Sequence, residues 1–178
     1  MDIDALPSLR CWAVEVDIGD QSYRIPPLPA TDWLIAISTS FTRVVPGMLE
    51  GNIEDLLDLV SYGDIPYVEL RDAGRDTIAQ VAGMKWWAAA RLVYYLGSHW
   101  STVGGALLMR GIDPSTHSIG AVLTCTYRLL LENCKDEQER RKLDHELERP
   151  PAGIPISQMY DATKATASFM ALANAPSG

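Results

Sequence analysis

The side chains able to do chemistry are few and scattered. His99, His117 and His145 fall at expected loops and helix ends, too far apart to supply the clustered ligands a metal needs, so no metal site is expected. Cys11, Cys125 and Cys134 form no CxxC pair, and free thiols are the expected state. A Cys125–His117 nucleophile pair is conceivable only through folding, and a cysteine on a helix is more often a small hydrophobe. No GxSxG, Walker A, GxGxxG or HExxH pattern occurs, so neither a catalytic residue nor a cofactor is expected, and the chain reads as a non-enzyme. Gly111-x-Asp113-Pro114 reads as a helix-ending glycine followed by an aspartate turn.

Aromatic and methionine side chains offer a different chemistry, that of partner recognition. Five tryptophans are many for this length, and aromatic anchors dominate interface energetics. Adjacent Trp86 and Trp87 stand about 100° apart on a helix and cannot share one narrow stripe. Two readings are open: one ring anchors the core while the other faces a groove or partner, or both are buried between two layers of helices. The candidate partner-binding residues are Trp33, Trp86, Trp87, Tyr94, Trp100, Met159, Phe169 and Met170.

The elements that must position them follow from periodicity. CWAVEVDI, Gly19-Asp20 and SYRIP predict a β-hairpin with Trp12, Val14, Val16 and Ile18 on one face. After Pro26, Pro27 and Pro29 the period becomes helical, with Leu34, Ile37, Phe41 and Val44 inward until Pro46-Gly47. Asn52 is expected to cap a second helix with Leu56, Leu57 and Val60 inward. Pro66 is expected in the first turn of a third, ending at Gly83 and open to a break at Gly74. The most apolar helix spans Trp86 to Leu96 and is expected to be central. A short helix around Gly104-Gly105 follows, then one capped by Ser115 or Ser118 with Ile119, Val122, Leu123, Tyr127, Leu130 and Leu131 on one face. Residues 135–149 hold six acidic and five basic groups and should form an exposed helix, with Asp136–Arg140 and Glu137–Arg141 spaced for ion pairs.

The predicted fold is therefore mainly α: a helical domain over 1–149 with a short N-terminal hairpin, then a linker and C-terminal helix over 150–178. The 178 residues fit one domain. A net charge of −8 lacks the basic footprint of a nucleic-acid binder, and the whole surplus lies in residues 1–75, where an acidic face is expected. No secretory signal and no apolar run of membrane-spanning length are read, which points to a protein of the reducing cytoplasm.

The order of landmarks is distinctive: SYRIPPLPATDWL, then VVPGML, KWWAAARLV, HWSTVGGALLMRGIDPSTHS, a charged helix and PPAG. Over about 12–155 this resembles the tail assembly chaperones of long-tailed phages of actinobacteria. The resemblance implies the shorter of two products of overlapping frames, the longer arising by programmed frameshifting. It implies binding to the tape measure protein, which is kept soluble while tail tube protein is recruited. Its partners would be those two proteins and the longer frameshift product; a homo-oligomer is a further option that the chain itself leaves open. It would work in the host cytoplasm and be absent from the mature virion. The alternatives are a virion structural protein, such as a head–tail connector or tail terminator, and a small enzyme of unrecognised type.

The final helix, MYDATKATASFMALA, follows a Pro-rich linker and carries few large anchors, so it is expected to be mobile or to dock on another copy or partner. Limited proteolysis should cleave near Pro151–Ser157 and leave 1–150 with an unchanged Tm. Unfolding on truncation at 150 would instead make the tail part of the core.

Overall fold

A computed structural model of the chain describes residues 10–39, 47–50 and 53–152. The expected C-terminal helix, with Met159, Phe169 and Met170, lies outside the described residues, as do Phe41, Val44, Pro46 and the Asn52 cap. The described part is mainly α, with one two-stranded antiparallel hairpin preceding seven helices.

Strands β1 (Val14–Ile18) and β2 (Gln21–Ile25) pair Val14 with Ile25 and Ile18 with Gln21 around Gly19-Asp20. Gly19 adopts φ 61°, the left-handed conformation a tight hairpin turn needs. Alternation buries Val14, Val16 and Ile18 with Ile25, while Trp12 precedes the strand and is partly exposed, so it leaves the expected face.

Helix α1 (Ala30–Thr39) buries Ala30, Trp33 and Ile37. Helix α2 (Ile53–Tyr62) buries Leu56 and half-buries Leu59 and Val60. Leu57, expected inward, points out, because a single stripe at 56, 59 and 60 already fills the contact. Pro66 immediately precedes α3 (Tyr67–Ala82) instead of sitting in its first turn, with extended φ and ψ. Helix α3 runs unbroken through Gly74, which is buried, so packing offsets the local cost of roughly 1 kcal/mol. Gly83, at φ 66°, ends it as expected.

Helix α4 (Trp86–Ser98) passes through Gly97, and the chain breaks at His99 before α5 (Trp100–Met109). Gly111 and Ile112 then donate to the carbonyls of Leu108 and Leu107, closing α5 in a Schellman arrangement with Gly111 at φ 75°. Ser118 caps α6 (Ile119–Asn133) by accepting from the Ala121 N–H at 3.2 Å. The buried face of α6 is Ile119, Val122, Leu123, Thr126 and Leu129; Tyr127, Leu130 and Leu131 lie at its half-buried edge. Thr126 can be buried because its hydroxyl donates to the Val122 carbonyl at 2.8 Å. Gly120 lets α6 approach the end of α3, since a Cβ there would meet the Val81 carbonyl oxygen at 3.1 Å. Helix α7 (Glu137–Glu148) is exposed, capped by Asp136 accepting from Glu139 N–H, and carries the Glu137–Arg141 pair at 3.4 Å.

Helix α4 is central, packed against α1, α3, α5, α6 and α7, while β1 packs on α3. Trp86 and Trp87 are both buried, edge to face with centroids 5.7 Å apart. The Arg75 guanidinium lies 4.5 Å over the Trp86 ring and the Lys85 ammonium 5.5 Å over Trp87. Of the two readings open for the pair, the structure shows the one in which both rings belong to the core. Trp86→Ala and Trp87→Ala should each cost about 3–5 kcal/mol in chemical denaturation, the usual result of emptying a large aromatic site. A near-zero cost for either would return that ring to the surface.

Candidate partner-binding surface

The candidate anchors separate sharply by burial. Trp33, Trp86 and Trp87 belong to the core cluster and present no surface to a partner. Tyr94 and Trp100 are 78% and 47% exposed, on consecutive helices α4 and α5. One turn after Trp100, Gly104 leaves room for the indole to lie on the helix backbone; a Cβ at 104 would approach the ring to 3.0 Å. Trp100 thus lies over Gly104 while exposing about half its area.

Among the described residues, sequence reasoning also left out other exposed large hydrophobics: Leu108 and Met109 at the end of α5, 56% and 89% exposed, and Ile35, Tyr62, Tyr67 and Val68 on α1, α2 and α3. For Leu108 and Met109 the signal was present in the spacing: Val103 and Leu107 fill the inward stripe, which leaves 108 and 109 on the outer side.

The polar groups do structural work. The Asp113 carboxylate accepts from the Ser115 N–H at 2.9 Å and its hydroxyl at 2.7 Å, which holds its pKa below the usual carboxylate value. This is the aspartate turn expected after Gly111. The loop it shapes satisfies α1: the Ala30 and Thr31 N–H groups donate to the carbonyls of His117 and Pro114 at 2.8 and 3.1 Å. The imidazole Nδ1 of His117 sits within the same loop, 2.9 Å from the Asp113 carbonyl and 3.1 Å from the Thr116 hydroxyl. Burial pushes the Cys125 thiol up, opposite to the shift that activates a nucleophile. All three cysteines are free, and among the described residues no group of His, Cys, Asp and Glu is placed to hold a metal.

Glu15 and Asp17 on β1 and Asp76 on α3 are among the residues lining an open groove, with Val16, Ala73, Thr77 and Gln80. Between Cys11, Trp33 and Ile119 only about 10 Å³ is left, room for no more than a single water. Among the described residues, no helix is long and apolar enough to cross a membrane.

Between α6 and α7 the Tyr127 hydroxyl donates to Asp144 at 2.6 Å. That bond first, and burial second, pushes the phenol up to about 12. An unfolded tyrosine ionises near pH 10, so this contribution is complete below pH 10 and is lost as pH rises from there through about 12. Urea denaturation as a function of pH should show that alkaline loss, and Tyr127→Phe should remove it. An identical alkaline slope in the variant would mean that Tyr127 is not its source.

Compared with protein-family models, curated proteins and solved structures, the chain matches none.

Proposed function

We propose that the chain is a tail assembly chaperone of a long-tailed actinobacterial phage, acting without catalysis. It binds the tape measure protein, keeps it soluble in the host cytoplasm and brings tail tube protein to it, and it is left out of the finished virion. The longer frameshift product is its natural companion. One observation carries this reading. The segments bearing the resemblance, KWWAAARLV and HWSTVGGALLMRGIDPSTHS, build the central helix and α5, and the exposed Tyr94, Trp100, Leu108 and Met109 lie at or beside them. An amphipathic helix of a tape measure protein is the kind of partner such a surface suits, docking through apolar anchors at helical spacing. Methionine adds adaptability toward a long and varied helical client.

Co-expression with the tape measure protein of the same phage tests this. The wild-type chain should keep that protein soluble and co-purify with it. Tyr94→Ala with Met109→Ala should keep stability within about 0.5 kcal/mol, as expected of exposed positions, yet lose co-purification. Failure of the wild-type chain to solubilise the tape measure protein would overturn the proposal. Recovery of the chain as a stoichiometric ring in purified particles would favour the connector or terminator reading instead.

A further inference from the structure

Among the described helices, α7 is the one without a fully buried side chain. Leu143 and Leu147 are only half-buried, and Leu147 is its apolar contact with the core. What holds α7 in place is polar. The Trp87 indole N–H donates to the Glu148 carbonyl at 3.2 Å. The Arg91 Nη1 donates to the carbonyls of Glu146, Leu147 and Arg149, the last two at 3.3 and 2.7 Å. The Tyr127 hydroxyl adds its bond to Asp144. Arg91 thereby serves as the C-terminal cap of a helix to which it does not belong, an arrangement favoured by the negative end of the helix dipole.

The two ends of α7 are satisfied by different parts of the molecule. Its N-terminus is self-contained: Asp136 accepts from the Glu139 N–H at 2.8 Å, and Glu139 accepts from the Lys135 N–H at 2.7 Å. Its C-terminus borrows its donors from α4. Cys134 and Asp136, which flank the joint to α6, both have extended backbone. Trp87, Arg91 and Tyr94 follow one another at i, i+4 and i+7 on a single face of α4. Helix α7 is held against the first two, while Tyr94 remains exposed.

We propose that α7 is a detachable strap, with residues 137–148 leaving α4 and α6 as a unit about the 134–136 joint. Opening breaks the Arg91 and Trp87 bonds at the far end and keeps the cap at the near end. It uncovers the buried Trp87 ring and releases the half-buried Leu147 from the core, whereas α1, α3, α5 and α6 keep their own contacts with α4. The open form extends the exposed Tyr94 into a continuous strip of Trp87, Arg91 and Tyr94. This inference stands apart from the tail-assembly reading.

Native-state hydrogen exchange on the full chain tests it, using the amides of 141–148, which have intrahelical acceptors. They should exchange at least about tenfold faster than the central amides of α4 and α6, as a locally opening unit does. Arg91→Ala should accelerate them by a further factor of about ten without changing α6, consistent with losing charge-assisted bonds. Tyr127→Phe should act in the same direction, and it keeps the test decisive if Arg91→Ala fails to fold. Equal protection across α4, α6 and α7, with all three shifting together in either variant, would overturn the strap and make α7 part of the global folding unit.

Discussion

Helix α4 carries Trp86 and Trp87 about 100° apart, so burying both requires cover on two flanks at once. Around that requirement the other helices are arranged. Helices α1, α3 and α6 pack on the apolar side of Ala89, Leu92, Val93 and Leu96, and α7 closes the flank of Trp87 and Arg91. The charge of Arg91 within this apolar stretch would be costly without acceptors, and the last carbonyls of α7 supply them. The same side chain therefore completes the core and ties down the most polar helix.

Backbone hydrogen bonds between elements do the remaining positioning. The hairpin turn is fixed on α3 by the Glu69 carboxylate, which accepts from the Gly19 N–H at 2.7 Å. Helix α1 starts where its first amides find acceptors in the 113–118 loop, so a loop late in the chain caps an early helix. Gly120 brings the start of α6 against the carbonyl end of α3, an approach that a larger residue at 120 would push apart. These joints use proline, glycine and aspartate landmarks, the same residues that make the order of segments along the chain distinctive.

The surface divides correspondingly. Carboxylates from β1 and α3 border an open groove on one part of the molecule, and apolar side chains of α4 and α5 stand out on another. For the proposed handling of an elongated helical client, apolar anchors would supply contact and negative charge would oppose self-association.

Helix period, proline and glycine punctuation and the hairpin turn were legible in the chain alone, because each is a local property of a few consecutive residues. Gly83 ending α3, the Gly111–Asp113 turn and the exposed charged helix all stand where spacing placed them. Burial was less legible, because it depends on what arrives from elsewhere. Leu57 turned outward and Thr126 inward once neighbouring faces were filled. Trp86 and Trp87 could be placed on a helix from their neighbours in sequence, yet their common burial needed α7, more than fifty residues away, and the carbonyls it brings to Arg91. Local chemistry determined which segments are helices; only tertiary packing decided which aromatic rings remain for a partner, since exposure is what is left after every long-range contact has been made.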